Sequence, residues 1–107
     1  MENGQVKAFR MQLKPGYEAE YQRRHGEIWP ELSELLINAG IMEYYIFIDP
    51  ITLALFAFQK LGNHDTTATL SALPIMKKWW DYMADIMEVN DDNSPKAISC
   101  PEVFRLS

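Results

Sequence analysis

The chain has 107 residues, 48% hydrophobic and 23% charged, the make-up of one soluble globular domain and not of a disordered, collagenous or coiled-coil chain. Ten Lys and Arg against fifteen Asp and Glu leave a net charge of -5, and the basic residues cluster no more densely than the pairs Arg23, Arg24 and Lys77, Lys78, so nucleic acid and anionic membranes are poor partners. The single cysteine, Cys100, permits no internal disulfide; no stretch nears the ~18 consecutive apolar residues of a membrane span, and Met1 to Lys7 lacks a signal-peptide core, so one cytosolic domain over residues 1–107 is expected.

From Val6 to Leu13 the residues alternate as in a first strand, with Lys7, Phe9, Met11 and Leu13 sharing one side. Pro15-Gly16 breaks it. Tyr17 to Ala39 carries helix-forming residues at helical spacing, and Pro30, tolerated only in a helix's first turn, divides the stretch into a helix to about His25, a bend from Gly26 to Trp29, and a second helix stopped by Gly40. Met42 to Asp49 and Thr52 to Lys60 are rich in aromatic and β-branched residues and form a hairpin about Asp49-Pro50-Ile51. Asn63-His64-Asp65 offers an N-cap for a helix to Leu73, Pro74 restarts it, and Ile75 to Met87 continues it with Met76, Trp79, Met83 and Ile86 at helical spacing. After a loop from Asn90 to Pro95, Glu102 to Leu106 reads as a fourth strand.

The order βαββαβ is an α+β, ferredoxin-like split motif, four antiparallel strands with both helical arms on one face. Both faces of the central strands are apolar. Tyr44, Ile46 and Ile48 with Leu53, Leu55 and Ala57 oppose Tyr45 and Phe47 with Ala54, Phe56 and Phe58. Helices cover one face, and the other would leave several hundred Å² of hydrocarbon in water. The expectation is a twofold homodimer, sheet packed on sheet into an α/β barrel, that buries the Phe47, Phe56 and Phe58 side.

Tyr21 and His25 stand four apart, so phenol and imidazole lie on one helical face. An imidazole gives and accepts protons near pH 7, which makes the pair a candidate for proton transfer; a half-buried helix histidine bonded to a carbonyl is the structural alternative. His64, in a turn, reads as a solvated loop residue. Trp79 and Trp80, about 100° apart on a helix, are either core filling or two walls of a cleft, an indole face being a usual platform for the C–H face of a sugar. If the Tyr44 side of the sheet is the covered one, Tyr21, His25, Tyr44, Trp79 and Trp80 converge. Two distant histidines and one cysteine offer no metal-ligand spacing, and no phosphate loop or nucleophile elbow occurs.

The segments YQRRHGEIWPEL (Tyr21 to Leu32), KKWWDYMADIM (Lys77 to Met87), DNSP (Asp92 to Pro95) and the closing EVFRL resemble the L-rhamnose mutarotase family over nearly the whole chain. The resemblance implies a dimeric ferredoxin-like isomerase that interconverts the α and β anomers of L-rhamnose without metal or cofactor. His25 would match its proton donor, Tyr21 and Tyr44 its sugar-binding tyrosines, and Trp79 with Trp80 its tandem-tryptophan sugar contact. Two positions depart from the pattern: Gly26, where the family commonly has Asn and which loosens the bend beside His25, and Asp91, where Pro is usual.

Anomer exchange needs a proton to leave the C1 hydroxyl and one to reach the ring oxygen, so a positioned acid-base group supplies a useful fraction of the acceleration, about 10²- to 10⁴-fold, and metals and cofactors can be absent. The methyl of a 6-deoxy sugar prefers an apolar wall; since methyl burial discriminates by only about 1–3 kcal/mol, activity on L-lyxose or L-mannose is also expected. The rival readings are a small monooxygenase or haem-degrading enzyme on the same scaffold, and a non-enzymatic dimer that binds a small molecule.

Overall fold

The computed structural model describes residues 5–106; Met1 to Gly4, within the segment read for a signal peptide, and Ser107 lie outside the described residues. Strand β1 (Gln5–Gln12) leads to helices α1 (Glu18–Gly26) and α2 (Pro30–Asn38), the hairpin β2 (Ile41–Ile48) and β3 (Ala54–Leu61), a 3-10 turn over Thr67–Ala72, helix α3 (Pro74–Met83) and a short β4 (Ile98–Ser99). The antiparallel sheet runs β2-β3-β1-β4, the order a split βαββαβ chain requires. Pro30 and Pro74 each begin a helix, where the missing N–H costs nothing.

Helices and sheet enclose a core of Met11, Leu13, Leu32, Leu55, Ala57, Met83, Ile86 and Met87, all buried. Phe9, Met11, Ile46, Leu55 and Ala57 come from the same side of their strands, so the Tyr44, Ile46 and Ile48 side is the covered one. The opposite face stands open. Tyr45 pairs with Phe58 and Phe47 with Phe56 across β2 and β3, Phe47 and Phe58 meet edge to face at 5.9 Å, and Phe47 remains 60% exposed.

Three elements depart from the sequence reading. Glu102 to Leu106 forms no strand, with Val103, Phe104 and Leu106 exposed; the fourth strand is Ile98–Ser99, pairing with Arg10 and Phe9. Cys100 still donates its N–H to the Ala8 carbonyl, and Pro101, with no N–H to give, ends the ladder. The helix expected from Asp65 to Leu73 is a 3-10 turn. The Asp65 carboxylate accepts from the Thr67 N–H and hydroxyl, and the Thr69 hydroxyl donates to the Thr66 carbonyl, local bonds that compete with an α-helical ladder. Helix α3 stops at Met83 and not Met87, because Met87 bridges to Leu13 while Glu88 donates its N–H to Gln12 and Ile86 accepts from Lys14. Sheet hydrogen bonds replace the last helical turn.

Candidate active site between helices and sheet

A cleft of about 1410 Å³ separates the helices from the covered sheet face, and Tyr21, His25, Tyr44, Trp79 and Trp80 all line it. Apolar walls come from Phe9, Met11, Leu32, Ile46, Met76 and Met83. The volume exceeds the roughly 300–1,000 Å³ of pockets that enclose a drug-sized ligand, so one sugar ring would fill only a part. His64, by contrast, is exposed on its loop.

Each side chain has a local cause for its placement. Tyr21 and His25 stack one turn apart on α1 with ring centroids 4.4 Å apart. Tyr44 reaches the cleft through a register shift between Ile41 and Glu43. Strict alternation would send Ile41 and Tyr44 to opposite faces; the extra residue lets Ile41 be buried and Tyr44 line the cleft together. Trp79 and Trp80 divide as a 100° step demands. Trp79 is buried, its ring edge-on to His25 at 5.5 Å and to Trp29 at 5.0 Å, with Tyr82 at 5.6 Å. Trp80 is half-buried and lines the cleft.

The tautomer of His25 follows from its partner. Nδ1 lies 3.2 Å from the Tyr21 carbonyl oxygen, which can only accept, so Nδ1 carries the proton and Nε2 keeps a free lone pair. Burial lowers the imidazole below its ordinary 6.5, and the Tyr21 carbonyl bond offsets part of that shift. The ring is therefore neutral at pH 7. Burial raises both phenols; the nearby Tyr44 adds to the rise at Tyr21, while Gln59, the cross-strand partner of Tyr44, pulls Tyr44 back. Both stay protonated across the neutral range and serve as O–H donors. Tyr44 keeps 38% of its surface accessible; its phenol lines a cleft whose walls remove bulk water without sealing it.

Three contributors escaped the sequence reading. Trp29 and Tyr82 complete the aromatic cluster around Trp79, with their centroids 5.7 Å apart, and Arg24 bridges α1 to the end of α3 through Asp85 and the Tyr82 carbonyl. Tyr82 follows Trp79 by three residues, a spacing that signals contact; nothing local signals the Arg24 bridge, whose partners lie some sixty positions away.

The L-rhamnose mutarotase family model matches residues 7–106. The chain belongs to the L-rhamnose mutarotase family. It is 57% identical over 99 residues to the L-rhamnose mutarotase of Bacteroides thetaiotaomicron, covering 92% of this chain and 95% of that one. Over 106 residues it is 52% identical to the L-rhamnose mutarotase of Flavobacterium johnsoniae, with 99% of each chain covered. The crystal structure of L-rhamnose mutarotase from Formosa agariphila superposes with a TM-score of 0.88 at 49% identity, over 96% of this chain and 99% of that one. A protein of Nitrosomonas europaea assigned to the antibiotic biosynthesis monooxygenases superposes at 0.60 with 14% identity; that likeness concerns the ferredoxin-like fold alone. Membership makes the chain an isomerase that exchanges sugar anomers, and the monooxygenase reading is not favoured.

Proposed function

We propose that His25 moves the protons of L-rhamnose anomer exchange, that Tyr21 and Tyr44 hold the sugar's oxygens, and that Trp80 offers its indole face to the ring while Trp79 backs the imidazole. The observation that carries this reading is the Nδ1 bond to the Tyr21 carbonyl, which leaves one basic nitrogen on a ring that lines the cleft. Nε2 takes the proton of the C1 hydroxyl, the oxygen's electron pair forms the carbonyl, and the bond from C1 to the ring oxygen breaks. The ring oxygen then takes that proton back from Nε2. Both oxygens are bonded to C1, so one nitrogen reaches them in turn, and electrons and protons balance without an oxidant. Rotation about C1–C2 presents the other face of the aldehyde, and the same steps in reverse close the opposite anomer.

The phenols support this path by staying protonated, since each can donate to a hydroxyl or to the ring oxygen as its charge develops. Apolar walls of Met76, Met83 and Leu32 suit the C5 methyl of a 6-deoxy sugar, and L-lyxose and L-mannose are expected as weaker substrates. The same reading has the enzyme work in the cytoplasm as a homodimer. What supports the dimer is the open sheet face of Val6, Tyr45, Phe47, Phe58 and Ile98, each at least 38% exposed, beside an apolar tail at Val103, Phe104 and Leu106.

Saturation-transfer NMR between the two anomeric protons of L-rhamnose tests the assignment. Wild-type protein should accelerate exchange, and His25→Ala should cut the protein-dependent rate by about 10²- to 10⁴-fold with its melting temperature held. A folded His25→Ala protein that retains full turnover would overturn it.

A further inference from the structure

His25 is the penultimate residue of α1, and the chain after it is loosely held. Gly26 has open space where a side chain would stand, and the turn that follows is held by main-chain bonds from the Glu27 N–H to Arg23 and from the Ile28 N–H to His25, with one exposed ion pair between Arg23 and Glu27. A helix end of that kind frays. The neighbouring Arg24 supplies a long-range restraint at that point. Its Nε donates to the Glu20 carboxylate at 2.7 Å, and its Nη1 donates to the Tyr82 carbonyl at 2.7 Å and to the Asp85 carboxylate at 2.9 Å. The guanidinium carbon lies 4.5 Å from the centre of the Tyr82 ring, and the side chain is 11% exposed. Tyr82 belongs to the last turn of α3, whose final carbonyls lack helical partners and favour a cation.

We propose that Arg24 is a positioning residue for the reaction, fixing the imidazole of His25 against Trp79 by fastening the end of α1 to the end of α3. The contacts form a closed circuit: Arg24 on Tyr82, Tyr82 on Trp79, Trp79 edge-on to His25, and His25 next to Arg24 in the chain. Arg24 lines no part of the cleft, so it acts through His25 and not on the sugar. Five donors in a fixed fork allow one side chain to hold a carboxylate on its own helix, a carbonyl of α3 and a carboxylate in the turn just past it; an ammonium cannot span them with the same geometry. The inference rests on His25 being the proton-transfer group.

Arg24→Ala, Arg24→Lys, Arg23→Ala and His25→Ala are compared by saturation-transfer NMR on L-rhamnose, with the ring-proton shifts of His25 read in parallel. Arg23 is the control: its loss removes the same charge from the same helix, where it pairs with half-buried Glu20 and exposed Glu27, and leaves the Arg24 bonds to the Tyr82 carbonyl and Asp85 in place. A misplaced proton-transfer group costs about 10- to 100-fold, so Arg24→Ala should lower kcat by that factor with KM within twofold. Its His25 ring protons should lose the ring-current shift imposed by the Trp79 edge. Arg24→Lys should recover only part of the rate, and Arg23→Ala should match wild type. If Arg24→Ala does not fold, Asp85→Ala, which removes only the far carboxylate, is read in the same two ways. A folded variant with wild-type kcat and an unmoved His25 spectrum overturns the positioning role. Retained turnover in His25→Ala defeats the assignment of the site itself, whereas an inactive His25→Ala beside a fully active Arg24→Ala defeats only the inference about Arg24.

Discussion

The adjacent tryptophans should separate cleanly into a stability residue and a binding residue. Trp79 is 8% exposed, in contact with three aromatic rings, His25 at 5.5 Å, Trp29 at 5.0 Å and Tyr82 at 5.6 Å. Truncating such a side chain to alanine costs about 3–5 kcal/mol. At roughly 4–8 °C per kcal/mol for a domain of this size, Trp79→Ala should melt some 12–40 °C lower than wild type. Trp80 is half-buried, and its loss should cost about 1 kcal/mol, a fall under roughly 10 °C. For the sugar the order reverses. An aromatic stacking contact contributes about 0.5–1.5 kcal/mol, so Trp80→Ala should raise KM about 2- to 12-fold. Thermal melts followed by near-ultraviolet circular dichroism give the first comparison, and anomer-exchange NMR at a temperature where both variants are folded gives the second. Equal melting losses, or Trp80→Ala as the more damaging to stability, would refute the division of the pair.

Turnover should track the neutral form of His25, and because burial holds that imidazole below 6.5, the acid limb of kcat against pH should have its midpoint under 6.5; a midpoint above it contradicts the site. The linked stability has the same sign: it is fully present above pH 6.5, where folded and unfolded imidazoles are both neutral, and is lost as pH falls from 6.5 through the lower folded value, which urea melts across that window measure. Replacing Phe47 with Glu on the open sheet face should convert a dimer to monomer in light scattering, and a wild-type protein already monomeric at micromolar concentration would remove the proposed interface. Gly40 has φ +105, and a Cβ there would lie 3.0 Å from the Asp65 Cα; Gly40→Ala should therefore cost about 1–2 kcal/mol from the left-handed backbone alone, read as a lower urea midpoint.

Strand pattern and proline placement carried most of the architecture. Alternation in VKAFRMQL and in the hairpin strands, with Pro30 and Pro74 as helix starts, set out β1 to β3 and the helices to within about two residues at most ends. The fourth strand was misplaced because EVFRL has strand-like composition but no neighbour, and β-propensity expresses fit to a pleated surface that must exist. Whether Met87 ends a helix or joins a sheet depends on Leu13 being beside it, a contact far away in sequence. At the site, the four-residue spacing placed Tyr21 under His25. The carbonyl-bonded arrangement of that histidine is present, and the same ring also lines a cleft. The roles of Trp29 and Arg24 depended on where α3 ends, which no local pattern encodes.

The carbonyl that settles the protonation of His25 belongs to the backbone of residue 21, not to its phenol. Any residue that keeps the helical turn intact would supply the same acceptor, so the side chain at position 21 is free to change without altering the tautomer. Under the proposed assignment, sugar contact and the tautomer of the proton-transfer group are thereby supplied by different atoms of a single residue, so a change of the phenol would alter the first and leave the second in place.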